Sequence, residues 1–167
     1  MILDRNFSAM TISREPQQLE KSTFLNQRLI GIDGDPGAGK SRLAEEIHGL
    51  VGGIIIALDD FLCTPGQSYL AQYQASALAD HFRDCAALPR ILEGVVLLDA
   101  LEFLNASADI LVFATRQIDG TWEYDQYLSS CAPQPSCQST REIVDYYRRR
   151  EPWKSAQLRT NLQYSTY

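Results

Sequence analysis

The sequence lacks most of what would place a chain in a membrane, on a nucleic acid or in a disulfide scaffold. No apolar run approaches the ~20 residues of a membrane span. The opening Met1-Ile2-Leu3-Asp4-Arg5 has none of the apolar core of a signal peptide, so the reading is a cytoplasmic protein. Positive charge is scarce: 15 basic against 21 acidic side chains, a net charge of −6, which excludes nucleic-acid binding through bulk electrostatics. There are two histidines, and Cys63, Cys85, Cys131 and Cys137 hold no C-x-x-C spacing, so neither a zinc site nor a disulfide framework is expected. Internal repeats and low-complexity stretches are absent.

The 167 residues, 45% of them apolar, suit one domain with a sizeable core, spanning 1–167. Within it, 1–28 reads as a weakly periodic N-terminal extension in which Phe7, Met10 and Leu19 anchor a short helix. Residues 115–155 form a polar candidate lid. Charge divides unevenly: residues 1–115 hold 8 basic and 15 acidic side chains, and 116–167 hold 7 and 6, so arginines for a polyanionic ligand come mostly from the last third.

One stretch organises the rest. Gly34-Asp35-Pro36-Gly37-Ala38-Gly39-Lys40-Ser41 matches G-x-x-x-x-G-K-[ST] at every fixed position. A chance match is on the order of one per cent, with glycine at about 7% of residues. Leu29-Ile30-Gly31-Ile32-Asp33 reads as a strand entering it and 42–50 as a helix leaving it, with Leu43, Ala44, Ile47, Leu50 and Val51 on one face. Strand, glycine loop and helix together make a phosphate-binding loop. Its backbone N–H groups face the phosphates, Lys40 reaches the β- and γ-phosphates, and Ser41 offers a hydroxyl to Mg²⁺. The expected nucleotide contacts are Gly34, Asp35, Pro36, Gly37, Ala38, Gly39, Lys40, Ser41 and Arg42.

Further strands are expected at Ile54–Leu58, Arg90–Leu92 and Asp109–Ala114. The continuous β-branched run Ile54-Ile55-Ile56 suggests a strand covered on both faces. Helices are expected at 76–87, 95–104, 122–128 and 141–150, with Pro152 closing the last. Val95-Val96-Leu97-Leu98 could instead prolong the third strand, and 157–167 looks too polar for an interior strand. This alternation predicts a parallel sheet, whose strand C-termini share one ligand-binding edge. There the first strand delivers the glycine loop, the second Asp59, and the third Glu93. A carboxylate at Asp59 can orient or deprotonate an attacking hydroxyl, or hold Mg²⁺ through water. Asp59 and Asp60 should point oppositely, leaving one to face the nucleotide. Glu93 is the second acidic candidate, so Ser41, Asp59 and Glu93 form the expected metal set. Arg148-Arg149-Arg150, Arg141, Lys154 and Arg116 are candidates to cover the phosphates, and a solvated helix face is the alternative. Tyr69 and Tyr73 could stack on an acceptor ring or belong to the core.

Three segments resemble the uridine kinase / phosphoribulokinase / pantothenate kinase group of P-loop kinases: Ile30 through Ser41, Leu58-Asp59-Asp60-Phe61, and Leu92-Glu93-Gly94-Val95. The resemblance covers residues 29–114. It implies a three-layer α/β fold, with a mostly parallel sheet of four or five strands flanked by helices and an arginine-bearing lid. It also implies ATP- and Mg²⁺-dependent phosphorylation of a hydroxyl on a nucleoside-, vitamin- or sugar-like small molecule, by a monomer or homodimer. The group's catalytic carboxylate falls on Asp59; with the residues read above, Lys40, Glu93, Arg148 and Arg149 complete the expected catalytic set. The R-x-x-R-D lid pattern of genuine uridine kinases is missing. An ATP-binding regulator or ATPase switch, or a degenerate kinase without turnover, is the alternative.

Overall fold

A computed structural model describes residues 10–12, 20–62, 74–118, 121–129 and 138–161. Its centre is a six-stranded sheet, parallel at every pairing. In chain order the strands are β1 (Met10–Ile12), β2 (Leu29–Gly34), β3 (Ile54–Ala57), β4 (Arg90–Glu93), β5 (Ile110–Thr115) and, after a short antiparallel hairpin of β6 (Gln117–Ile118) and β7 (Thr121–Trp122), β8 (Leu158–Asn161). Across the sheet they lie in the order β1-β8-β5-β2-β4-β3. The helices are α1 (Lys21–Phe24), α2 (Lys40–Val51), α3 (Ala75–Asp84), α4 (Leu97–Phe103), α5 (Glu123–Leu128), α6 (Gln138–Arg150) and α7 (Pro152–Ser155).

The three layers follow from the period-two alternation of the strands. Ile30, Ile32, Ile91, Ile110, Val112 and Ala114 face one side and pack against Phe24 of α1 and Leu43, Ala44 and Ile47 of α2. Leu29, Leu92, Leu111 and Phe113 face the other, against side chains of α3, α4, α5, α6 and α7. On that second side the ring of Phe113 meets those of Tyr124, Tyr147 and Trp153 edge-on, with centroids 5.7, 6.1 and 6.0 Å away.

Several expectations change. The sheet has six strands rather than four or five, because Met10–Ile12 in the N-terminal extension is an edge strand on β8, not part of an anchoring helix. Among the described residues β3 pairs with β4 alone, so Ile54 and Ile55 are half-buried at the opposite edge instead of covered on both faces. The segment thought too polar for an interior strand is β8, between β5 and β1. Its polarity is absorbed locally. Gln157 receives the Leu111 N–H on its side-chain oxygen at 2.6 Å, Thr160 is buried, and Arg159 donates to the Trp153 carbonyl. Within the candidate lid region, Tyr124, Ile143, Tyr146, Tyr147 and Trp153 belong to the core. Tyr69, Tyr73, Phe7, Leu19, Cys63, Cys131, Cys137 and most of the loop near 130–139 lie outside the described residues.

Val95-Val96 do not prolong β4, because the chain turns there. Val96 takes a left-handed φ of 56° and α4 begins at Leu97. Before the turn, Gly94 donates to the Ile32 carbonyl at 3.1 Å, and a Cβ on Gly94 would fall 2.7 Å from the Leu58 Cβ. The ends of β3 and β4 therefore meet only over a residue without a side chain. Gly94→Ala should destabilise the protein by roughly 1–3 kcal/mol, the usual cost of overpacking a filled site, as measured by urea unfolding monitored by circular dichroism.

Candidate functional site

Strand register assembles this site. Glu93 pairs with Ile32 on one side and Ala57 on the other. The last residue of β4 is thereby fixed between the start of the glycine loop and the start of Leu58–Phe61, which is a turn of 3₁₀ helix. Asp59 and Asp60 lie in that turn and both are exposed. The expectation of opposite strand faces therefore does not apply to them. The structure brings Lys40, Ser41, Glu93 and Asp59 to one edge: Glu93 and Asp59 both act electrostatically on Lys40, and Asp59 and Asp60 act on Glu93.

The loop itself is held by close packing at its root. Gly34 has φ 147°, and a Cβ there would lie 1.9 Å from the Ala114 carbonyl oxygen of β5, so no other residue fits. Asp35 N–H then donates to that same carbonyl at 3.0 Å, and Ala38 N–H donates back to the Asp35 carbonyl at 3.1 Å. Pro36 and Gly37 form the turn, and Ala38 is buried against the α2 side of the core. Gly39, in the left-handed region at φ 82°, caps α2 with no side-chain bond to the helix N-terminus. The first turn of that 12-residue helix faces the loop, which suits it to phosphate oxygens.

Lys40 is buried, and its ammonium donates to the carbonyls of Gly34 at 3.3 Å and Asp35 at 2.9 Å. Burial lowers its pKa, while Glu93, Asp33, Asp59 and Asp35 act to raise it. The Ser41 hydroxyl donates to Glu93 Oε1 at 2.8 Å. Burial raises the pKa of Glu93 against the stabilising bond from Ser41. Arg42 makes an exposed ion pair along α2 with Glu46 at 3.1 Å.

The expected arginines do not arrive together. Tyr146 and Tyr147 of α6 sit level with the loop, and β8, which follows α6 and α7, begins opposite the middle of β5. α6 therefore runs downward past the loop, and its last turn lies toward the strands' N-terminal edge. Arg149 and Arg150 there bind Asp99 of α4, at 2.9 and 2.7 Å, and Arg150 also pairs with Glu102. Arg148 makes a loose exposed pair with Asp145 at 3.9 Å. Arg149 is thus held against α4 rather than at the phosphate loop, and Arg148 lies beside Asp145 of its own helix. Lys154 pairs with Glu151 on the surface.

Arg116 is the arginine that does reach the loop. It follows β5 directly, and its Nη1 lies 3.9 Å from where a Cβ on Gly37 would be. The β6–β7 hairpin returns the chain so that Glu123 N–H donates to the Arg116 carbonyl, and the Glu123 carboxylate receives Arg116 Nε and Nη2, both at 2.8 Å. That charge-assisted fork holds the guanidinium strongly protonated.

Sequence reasoning gave Asp33 no role beyond ending the strand and took Asp35 as a nucleotide contact, whereas both carboxylates lie beneath the loop. Asp33 and Asp35 are both fully buried. Asp33 accepts the Gly34 N–H at 2.8 Å and the Tyr146 hydroxyl, and Asp35 accepts the Tyr147 hydroxyl at 2.7 Å and the Thr115 hydroxyl at 2.5 Å. The sole signal in the sequence was a helix face, Ile143-Val144 then Tyr146-Tyr147, that carries two hydroxyls where apolar groups suffice. Among the described residues no group of three or more His, Cys, Asp or Glu is arranged to hold a metal ion, and no helix is long and apolar enough to cross a membrane.

No protein-family model and no curated protein matches the sequence. Solved structures do match the fold. One described as a possible uridine kinase from Bacillus stearothermophilus superposes with a TM-score of 0.51 at 16% identity, covering 84% of this chain and 95% of that one. Shikimate kinase from Bacteroides thetaiotaomicron gives a TM-score of 0.42 at 16% identity, over 81% and 87% of the two chains. With the first of these likenesses, the sheet order and the glycine loop, the chain has a three-layer α/β P-loop fold.

Burial raises the pKa of Asp33 to about 7 and of Asp35 to about 6, from 3.8, in spite of their hydrogen bonds. The folded state thus binds more protons than the unfolded chain between about pH 4 and 7, and stability from these two groups falls as pH rises across that window. At about 1.4 kcal/mol per pKa unit the combined effect is on the order of several kcal/mol. Thermal melts should therefore rise from pH 7.5 to pH 5, and Asp33→Asn should flatten that slope whatever its absolute stability. An unchanged slope would mean that Asp33 does not titrate there.

Proposed function

We propose that this protein is a small-molecule kinase with a uridine kinase-like core. In this reading it transfers the γ-phosphoryl group of ATP, with Mg²⁺, to a hydroxyl of a nucleoside-, vitamin- or sugar-like acceptor in the cytoplasm. The observation that supports this most is the register placing Glu93 between the glycine loop and Asp59, with Ser41 bonded to Glu93 at 2.8 Å.

The residues present fit the implied groups. The loop is lined by backbone, with positive-φ glycines at 37 and 39 and a helix N-terminus without a side-chain cap behind them, which suits it to phosphate oxygens. Ser41 and Glu93 offer two adjacent oxygens. Mg²⁺ commonly takes one or two protein oxygens and completes its shell with water and substrate phosphates. When bound, the ion offsets charge on the phosphate oxygens. Lys40, now on loop carbonyls, is within reach of the same oxygens. Asp59, exposed beyond the edge strand, is placed to orient the acceptor hydroxyl and take its proton. Arg116 is the cation we assign to the transferred group, in place of Arg148 and Arg149.

The ion-paired state of Arg148, Arg149 and Arg150 gives a second reading some support: a nucleotide-binding regulator, ATPase switch or degenerate kinase that lacks a full arginine lid. An acceptor screen separates the two. Nucleosides, vitamins and sugars are tested for acceptor-dependent ADP release, and tight ATP binding with a flat screen would favour the second. Lys40→Ala should abolish stabilisation by Mg·ATP, which is about 2.7 kcal/mol at a hundredfold excess over Kd. A thermal shift left intact in that variant would remove the loop from nucleotide binding. Asp59→Asn should still bind ATP and lose about 10²–10⁴-fold in transfer; full transfer there would move the role to Asp60 or Glu93.

A further inference from the structure

The proposed chemistry leaves one cluster unused: the two tyrosine–aspartate pairs that join α6 to the glycine loop. Tyr146 and Tyr147 are each 1% exposed, and their rings belong to the core on the α6 face. Phenylalanine would satisfy that packing. The hydroxyls do something further. Being adjacent on a helix, the two side chains diverge by about 100°, and each meets a different carboxylate. Tyr146 bonds Asp33, the last residue before the loop, and also receives the Leu98 N–H at 3.2 Å, where α4 begins after Glu93-Gly94. Tyr147 bonds Asp35, the second residue of the loop, at 2.7 Å. The carbonyl of that same Asp35 receives the Lys40 ammonium at 2.9 Å. A continuous chain of contacts thus runs from α6 through Asp35 to Lys40, and a second runs from α6 to both β2 and the start of α4.

Burying two carboxylates and two hydroxyls is costlier than burying apolar groups of the same shape. Both pairs connect α6 to the loop and the residue before it. We propose that Tyr146 and Tyr147 are positioning residues, holding the root and second residue of the loop so that its N–H groups and Lys40 keep the geometry that receives a polyphosphate. This rests on reading the loop as a nucleotide site, and it makes the hydroxyls, not the rings, the functional part of these side chains.

The test compares Tyr146→Phe, Tyr147→Phe and the double variant with Ile143→Val. The last removes a methyl group from the buried side of the same helix and leaves both hydroxyls in place. Two quantities are read: hydrogen exchange of the amides at 34–41, and the Kd for Mg·ATP by calorimetry. The hydroxyl variants should retain cooperative melting, exchange the loop amides faster, and bind about tenfold more weakly, the scale of one hydrogen bond to a charged acceptor. Ile143→Val should change neither readout. Loop exchange and Kd unchanged in the double variant would overturn the proposal, as would Ile143→Val reproducing both effects, since that is what a purely structural role gives. Should the double variant not fold, Tyr147→Phe alone decides. Wild-type protein that binds no Mg·ATP sinks the nucleotide reading and this inference with it. Wild-type binding matched by the tyrosine variants sinks only the inference.

Discussion

Two carboxylates buried at the root of a phosphate-binding loop impose the condition on which the rest of the molecule is arranged. Asp33 and Asp35 have lost their water, and a buried carboxylate persists only where donors surround it. Those four donors come from three directions: the loop backbone at Gly34, the end of β5 at Thr115, and α6 at Tyr146 and Tyr147. Each contact fixes an element otherwise free to slide. The loop cannot rise from β5, because Gly34 packs against the Ala114 carbonyl at a distance no side chain tolerates. α6 cannot shift without leaving a buried carboxylate short of a donor. Satisfying these two acids therefore orders the site from below, while Glu93 and Asp59 approach it from the side.

The same arrangement explains why the arginines part company. α6 is held at loop level by its tyrosines and runs from there away from the ligand edge, so its last turn meets α4 and not the loop. Guanidinium groups there need partners, and Asp99 and Glu102 of α4 provide them. Arg149 and Arg150 thus tie helix to helix. Arg116 leaves β5 at the opposite end, on the ligand edge, and the hairpin that follows returns Glu123 to grip it. Position along an element, not local charge density, decides which arginine can meet a phosphate.

That distinction also marks how far the sequence could be read. The loop, the strand before it and the helix after it were legible because their chemistry is local: glycines where the backbone turns, apolar residues at helical spacing, Lys40 and Ser41 at fixed positions. Asp59 and Glu93 were legible because a parallel sheet sends every strand end to one edge, so topology stood in for distance. β8 was not legible. Its polar atoms are satisfied by groups remote in the sequence, such as Leu111 N–H on Gln157 and the Trp153 carbonyl on Arg159, and no pattern within residues 157–161 announces that. β1 was hidden for a similar reason, since three residues that gain their partner only at the far end of the chain carry too little periodicity to show as a strand.

The tyrosine–aspartate pairs are the hardest case and the most instructive. Asp33 and Asp35 flank Gly34, where an acidic residue reads as ordinary turn chemistry. Tyr146 and Tyr147 lie more than a hundred residues on, in a helix whose Arg148-Arg149-Arg150 end draws attention first. Read separately, each pair has an adequate bland explanation. Together they form a joint between the nucleotide loop and a core helix, and a joint of this kind has a physical consequence. Both acids are held by hydrogen bonds to hydroxyls that burial keeps protonated, so the loop's rigidity depends on those hydroxyls remaining donors. A loop stiffened in this way enters polyphosphate binding with less conformational freedom left to lose, which is how a preorganised site gains affinity without adding a contact to its ligand.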